Sequence, residues 1–364
     1  MLYSLIMREN IKKEIKNSLG NGKVKILCGA YSKTMKEFLV DEIRQTFKNV
    51  YYMGSVFTKV DLLEHLSENL STEDSVKKIF IIDRLPDYND IDGIINLFAG
   101  NSNVDLIASS NIHLEDLLGN RSTVIRGRVQ YIAFPPFLYS DFLDNHYTFD
   151  LLNYVEDTDE KLFDYIPTFK YKNEVEKICD YIARNVGYPV NFRGMFENMS
   201  PDVSLNTFVG IFNYAAHHRF FYALNKFDLK KMDTLPNYLY CYPTDISQIC
   251  RSVTNIDKQR RSVYETAIIA KLINDNNLTY KAVYRNSENK HSNALANTYF
   301  VVSKTKQYLL KLYFTENQDS LERYYRYRSL YPRFIIIMDD IDTYVDEHGV
   351  TYMSVKNFLT YGVQ

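Results

Sequence analysis

The residues whose types and spacing come nearest to a chemical site run Gly29-Ala30-Tyr31-Ser32-Lys33-Thr34-Met35-Lys36. They follow a short apolar run, Val24-Lys25-Ile26-Leu27-Cys28, and lead into helical spacing through Met35, Phe38, Leu39, Ile43 and Phe47. Strand, glycine loop and helix in that order is the setting of a phosphate-binding loop, GxxxxGK[ST]. Its glycines let backbone amides surround the phosphates, and its lysine reaches the outer ones. A later strand ending in aspartate would hold magnesium, and Ile79-Phe80-Ile81-Ile82-Asp83 has that form. The match is incomplete in either alignment. With loop length kept, Thr34 replaces the second glycine, Met35 the lysine and Lys36 the hydroxyl residue. With Lys33-Thr34 taken as the lysine–hydroxyl pair, the loop is two residues short and lacks its second glycine. Arg84 follows Asp83 where a second carboxylate is usual. Gly29, Lys33, Thr34, Lys36 and Asp83 are therefore candidates for an eroded nucleotide site, while strand termination alone also accounts for Gly29 and Asp83.

Other chemistries find little purchase. The four cysteines, Cys28, Cys179, Cys241 and Cys250, form no CxxC pair, which argues against a structural zinc site or a disulfide framework. The histidines do not pair with Ser, Cys or Asp at nucleophile spacing. His217 and His218 are adjacent, so on a helix they point about 100° apart and do not share a metal easily. Asp339-Asp340-Ile341-Asp342 lacks the glycine and bidentate glutamate of a calcium loop and reads as a turn after a strand.

The elements that would position the loop alternate strand and helix through the first 145 residues or so. Strand patterns at 24–29, 50–53, 79–83 and 104–109 are separated by helical patterns at 35–47, 60–70 and 91–98, after an opening helix over 10–20. Such alternation predicts an α/β fold with a parallel sheet covered by helices. Ligands bind such sheets at the carboxyl ends of the strands, where Gly29, Asp83 and Ser109-Ser110-Asn111 would lie.

Residues 104–143 carry a resemblance. Val104-Asp105-Leu106-Ile107-Ala108-Ser109-Ser110-Asn111 precedes a leucine-rich stretch. Ile125-Arg126-Gly127-Arg128-Val129, Phe134-Pro135-Pro136-Phe137 and Asp141-Phe142-Leu143 follow. This order is similar to that of the prokaryotic AAA-type (P-loop) ATPases with a winged-helix module and a C-terminal restriction-endonuclease-like domain of unknown function. The resemblance places Asn111 at the sensor asparagine and Gly127-Arg128 at the Gly-Arg pair, adding Asn111 and Arg128 to the candidate nucleotide residues. It implies an ATPase using ATP and magnesium, of which this chain is a degenerate member. The expected division is a P-loop NTPase-like domain at 1–146, an acidic linker at 147–168, a winged-helix domain at 169–243 and the restriction-endonuclease-like domain at 244–364.

The middle stretch reads as helix (through Val175, Ile178 and Ile182), helix (192–199), turn, helix (206–217), then two short strands at 220–224 and 226–231, the order of a winged helix. Ser204 is placed to cap the third helix. DNA readout needs polar groups on that helix and cations along the phosphates, which singles out Asn206 and Thr207 with Lys226, Lys230 and Lys231. The same helix is largely apolar, so packing or contact with a protein partner is an equal alternative.

The last third reads as a helix from Val263, three strands (280–284, 297–302, 307–314), a helix over 319–329 and a strand at 334–338. Restriction-endonuclease-like folds hold magnesium with a helix glutamate, a strand aspartate and a Glu/Gln-x-Lys on the next strand. The resemblance sets Glu265 at the helix glutamate, Asn297 and Tyr299 where carboxylates belong, and Lys311 where a glutamine is usual. One carboxylate is too few for a metal site, and Glu265 is expected to pair at the surface with Arg260-Arg261.

Composition narrows the classes. The chain has 364 residues, 46% hydrophobic and 24% charged, with a net charge of -2, so neither a disordered protein nor a strongly basic nucleic-acid binder is indicated. Its 31 Tyr and 22 Phe against no Trp suggest compositional drift. No signal peptide or membrane-length apolar run is visible, so a cytoplasmic protein is expected. Two functions follow. The favoured one is a non-hydrolysing scaffold, with no catalytic residue, metal or cofactor, that binds duplex DNA or a protein. The alternative is an ATPase with an atypical loop, taking ATP and Mg through Lys33 or Lys36 with Asp83. Oligomeric state is not legible.

Overall fold

Runs such as Lys78-Ile79-Phe80-Ile81-Ile82 are apolar at both parities, so each strand must be covered on both faces, and a parallel sheet between helix layers satisfies this. The computed structural model describes residues 3–29, 32–53, 77–87, 90–110, 117–118, 123–134, 171–228, 233–244, 246–274, 282–286, 297–302, 306–313, 321, 324–325, 330–337 and 341–363, with the backbone alone at 3–10, 32–34, 235–238, 247, 274 and 282–286. The chain divides into two compact units, one centred on Leu5–Phe137 and the other on Lys170–Gln364.

The first unit opens with helix α1 (Tyr3–Ser18) and strand β1 (Val24–Cys28). Helix α2 follows as α-helix over Ser32–Glu37, π-helix over Phe38–Ile43 and α-helix again over Arg44–Thr46. Next come β2 (Val50–Met53), β3 (Lys78–Ile82), α3 (Ile91–Phe98), β4 (Val104–Ser110), α4 (Thr123–Gly127) and β5 (Val129–Ala133). All five strands are parallel, in the order β2-β3-β4-β1-β5. The α/β, P-loop NTPase-like layout expected from the alternation is present. The expected helix over 60–70 lies outside the described residues.

Strand alternation divides the core. Ile26, Phe80, Ile82 and Leu106 pack under Ile91, Ile94, Ile95 and Phe98 of α3, whose i, i+3, i+4, i+7 spacing makes one apolar stripe. Asp90 caps that helix by accepting the Gly93 N–H at 3.0 Å. On the other face Leu27, Ile79, Ile81 and Ile107 meet Ile11 and Ile15 of α1 and Met35, Phe38, Leu39 and Ile43 of α2. At the amino-terminal end of this second face a charge is buried. Lys25 and Asp105 form an ion pair with side chains 0% and 1% exposed. The Asp105 carboxylate also accepts the Gly20 N–H on both oxygens (3.0 and 2.9 Å) and pairs with Lys77 at 3.3 Å.

The second unit comprises α5 (Lys172–Arg184), β6 (Pro189–Val190), α6 (Phe192–Met199), α7 (Leu205–His217), β7 (Phe221–Asp228), β8 (Asp233–Pro243), α8 (Ser247–Ser252), α9 (Ile256–Asn274), β9 (Ala282–Asn286), β10 (Thr298–Val302), β11 (Gln307–Tyr313), β12 (Arg333–Ile337), β13 (Tyr344–Val345), β14 (Val350–Ser354) and α10 (Val355–Tyr361). Its strands make one sheet ordered β13-β14-β12-β11-β10-β9-β7-β8-β6. The hairpin expected at 220–224 and 226–231 is therefore longer: Phe221 to Asp228 is a single strand, irregular only at Asn225/Lys226, and its partner begins at Asp233. The stretches 169–243 and 244–364 share this sheet, because β7 pairs in parallel with β9 at Lys226↔Arg285 and Phe227↔Asn286. No described helix is long and apolar enough to cross a membrane.

The buried charge gives an asymmetric test by denaturant unfolding. Asp105→Ala leaves the Lys25 ammonium buried without its counter-ion and costs about 3–5 kcal/mol. Lys25→Met leaves Asp105 with Gly20 and Lys77 and costs less than about half of that. Burial lowers the Lys25 pKa from 10.5, opposed by Asp105. As pH rises toward 10.5 the unfolded chain holds this proton longer than the folded one, so this site's contribution to stability increases over that interval. Lys25→Met lacks that increase.

Candidate functional site

In the order β2-β3-β4-β1-β5 the chain leaves β1 toward β2 on one side and leaves β4 toward β5 on the other. The crevice of such a sheet opens between the carboxyl ends of β1 and β4. Gly29 stands there, directly after β1. Its N–H donates to the Ser110 carbonyl at 3.0 Å, and the neighbouring Cys28 carbonyl accepts the Phe134 N–H at 2.9 Å. A Cβ on residue 29 would lie 2.5 Å from the Phe134 carbonyl oxygen, so this glycine is required by a close backbone approach.

Asp83 follows β3 at the same end of the sheet, 4% exposed, and its Oδ1 accepts the Ser109 hydroxyl at 2.7 Å. Ser109 Oγ in turn accepts the Arg84 N–H at 2.8 Å, and Arg84 is held at φ 53. Gly29, Asp83 and Ser109 are thus brought together, as the strand pattern predicts.

The other candidates are not gathered with them. Helix α2 begins at Ser32, with only Ala30 and Tyr31 between it and Gly29. Lys33 and Thr34 lie in its first turn, and their side chains are outside the described residues, as is Asn111. Lys36 is exposed beside Glu37, whereas Met35, Phe38 and Leu39 turn into the core. Arg128 precedes β5 at the opposite end of the sheet, where its carbonyl accepts the Val24 N–H and its guanidinium bonds Asn96. A strand of this length spans roughly 16 Å, so Arg128 is separated from Gly29 by the depth of the sheet. The Gly29 amide is bonded to Ser110, and α2 begins three residues after Gly29; Ala30, Tyr31 and the side chains of Ser32, Lys33 and Thr34 lie outside the described residues.

In the second unit the order α5, β6, α6, α7, β7, β8, with β6 and β7 flanking β8, builds a three-helix cluster against a hairpin. Ser204 caps α7, its Oγ accepting the Thr207 N–H at 3.2 Å. Phe208, Ile211, Phe212 and Ala215 are buried. Asn206, Gly210, Asn213 and His217 are exposed, and at 100° per residue they fall within one sector of about 60°. Thr207 is half-buried and bonded to Ser204 Oγ at 2.9 Å. Arg219, just past α7, is exposed with no ion pair among the described residues. Several nearby cations are locally neutralised instead: Lys172 by Glu176, Arg184 by Asp180 and Arg193 by Glu197. Lys226 is half-buried on β7. Lys230 and Lys231 lie outside the described residues.

Glu265 departs from expectation. It is 2% exposed on α9, not a surface partner of Arg260-Arg261. Its Oε1 accepts the Tyr242 hydroxyl at 3.0 Å and the Tyr299 hydroxyl at 2.5 Å, and both rings are buried. The reason is register. Tyr299 faces α9, while Lys311 pairs with Thr298 and so occupies the other face of the sheet. There its ammonium sits 5.5 Å from the Tyr324 ring, against the cluster of Phe300, Leu309 and Tyr324. Glu265 and Lys311 therefore cannot serve one metal. Among the described residues no group of three or more His, Cys, Asp or Glu could hold a metal ion. The Tyr242–Glu265–Tyr299 network gives no sequence signal in a chain with 31 tyrosines.

No protein-family model matches the chain, and no curated protein matches it. Solved structures do. The Aeropyrum pernix ORC1 protein in complex with DNA is similar at 10% identity over 73% of this chain and 94% of its own, with a TM-score of 0.29. A DNA polymerase III gamma subunit-related protein from Thermotoga maritima is similar at 14% identity over 73% of this chain and 84% of its own, with a TM-score of 0.26. TM-scores this far below 0.5 do not establish a common overall fold, and the description of the first unit as α/β and P-loop NTPase-like stands on its own strand order.

Proposed function

We propose that this chain is a non-hydrolysing DNA-binding protein: a P-loop NTPase-like unit without a working phosphate loop, carried with a winged-helix module that engages duplex DNA. The observation that carries the reading is the open polar stripe of α7, Asn206, Gly210, Asn213 and His217, opposite a fully buried apolar face. An α-helix fits the major groove, and its exposed polar side chains then meet base edges. Arg219 at the end of α7 and Lys226 on β7, with Lys230 and Lys231 between β7 and β8 in sequence, supply cations for phosphates. In this reading 169–243 is the winged helix and 244–364 a restriction-endonuclease-like half whose metal site is closed by tyrosines, and the protein works in the cytoplasm. The engaged Gly29 amide and the early start of α2 support the absence of turnover.

A second reading is favoured by one observation, the persistence of Asp83 beside Ser109 at the crevice: ATP·Mg bound by an atypical loop through Lys33 or Lys36. A thermal-shift titration of the whole chain separates the two. Occupancy at a hundred times Kd stabilises a protein by about 2.7 kcal/mol. We expect ATP·Mg to give no rise in Tm that disappears in Lys33→Ala/Lys36→Ala, and a lysine-dependent rise of several degrees would favour the second reading.

Mobility shifts on duplex DNA test the first. Binding is expected to weaken with salt, and removing charge at Lys226, Lys230 and Lys231 should lower the log–log salt slope by about one for each phosphate no longer neutralised. No shift at low salt rejects the reading. Glu265→Ala and Tyr299→Phe should each destabilise the fold by about 1–3 kcal/mol, as expected when a buried hydrogen-bonded group loses its partner, with no divalent-dependent nicking in the wild type or either variant.

A further inference from the structure

We infer that α7 reads adenine in the major groove, with Asn206 and Asn213 as the reading side chains and Gly210 as the gap that lets the helix seat between them. The inference rests on the DNA reading above and assigns its base preference. A carboxamide presents an acceptor and a donor side by side, which matches the adenine N6–H₂ donor and N7 acceptor in a bidentate pair. Asn206 and Asn213 are seven residues apart, so they stand on one face of the helix and about 10.5 Å apart along it, close to three steps of 3.4 Å along a duplex strand.

The Asn206 and Asn213 carboxamides make no hydrogen bond among the described residues. Asparagines in the same helical cluster behave differently. Asn185 donates to the Tyr181 carbonyl, Asn191 caps α6 at Gly194, and Asn198 donates to the Gly194 carbonyl. Gly210 lies between the two carboxamides, and nothing among the described residues comes within 4 Å of where its Cβ would be. A glycine in mid-helix lowers stability, and no packing demand among the described residues explains this one. Helix α7 carries no acidic residue, and the exposed cation Arg219 follows it. An uncharged hydrogen-bonding stripe ending in a cation suits base edges bordered by phosphate.

The test measures affinity of the full chain by mobility shift at fixed low salt on three duplexes of equal length. One is A·T-rich, one is the same with 7-deazaadenine (which replaces N7 by C–H), and one is G·C-rich. The wild type should prefer the adenine duplex by about ten-fold for each reading residue, and 7-deazaadenine should remove that preference without any change to the protein. Asn206→Ala and Asn213→Ala, both at exposed positions, should each lose about ten-fold on the adenine duplex while keeping the G·C affinity. Gly210→Gln should raise Tm yet weaken binding to all three. Binding without adenine preference, or a preference untouched by 7-deazaadenine and both asparagine variants, overturns the inference and leaves DNA binding standing. Failure to bind any duplex overturns both.

Discussion

The close approach of Phe134 to Gly29 fixes how β1 ends. The Phe134 carbonyl lies where a side chain at position 29 would have to go, and the Gly29 amide is drawn to Ser110 across the neighbouring strand. Together these interactions carry the ladder of β1 one residue past its end, so the crevice between β1 and β4 is stitched at the point where a phosphate loop would begin. Helix α2 then starts almost at once, and its apolar side, Met35, Phe38 and Leu39, is pressed onto the sheet. Gly29 is thus the residue that lets Phe134 approach the end of β1.

In the second unit a buried carboxylate is the corresponding fixed point. Where metal-dependent chemistry would need several carboxylates around Glu265, two tyrosine hydroxyls fill its coordination and two rings fill the space. The carboxyl group survives as the acceptor of a buried network linking β8, α9 and β10. Satisfied networks of this kind fix one arrangement of the core, because leaving any member unpaired is costly. Helix α7, by contrast, carries Asn206, Gly210, Asn213 and His217 exposed on its open side.

Much of the architecture is legible in local pattern. The strands of the first unit declare themselves by apolar runs of the right length, and α3, α6 and α7 by caps and periodicity within a residue or two of their bounds. The departures have physical causes. The β7–β9 pairing joins Lys226-Phe227 to Arg285-Asn286 in parallel across about sixty residues, and a pairing so distant in sequence leaves no local trace. The lone Glu265 looks like a surface residue beside two arginines because a buried carboxylate is recognisable only from its partners. Motif order groups Arg128 with Gly29 because it is blind to the two ends of a strand. Strand β14, Val350-Thr351-Tyr352-Met353-Ser354, is buried at four of its five positions and so lacks the period-two alternation that marks a half-buried strand.

Strand β7 has one further consequence. Hydrogen bonds hold its far end on both sides, to β8 and to β9, so the hairpin is continuous with a sheet running to the other edge of the unit. The root of the hairpin is at Phe221 and Pro243, whereas the pairing to β9 lies at Lys226 and Phe227, within two residues of the end of β7 at Asp228, so this hairpin is braced near its tip and is not a free wing. Any reshaping of the hairpin at that end breaks the pairing of Lys226 and Phe227 with β9.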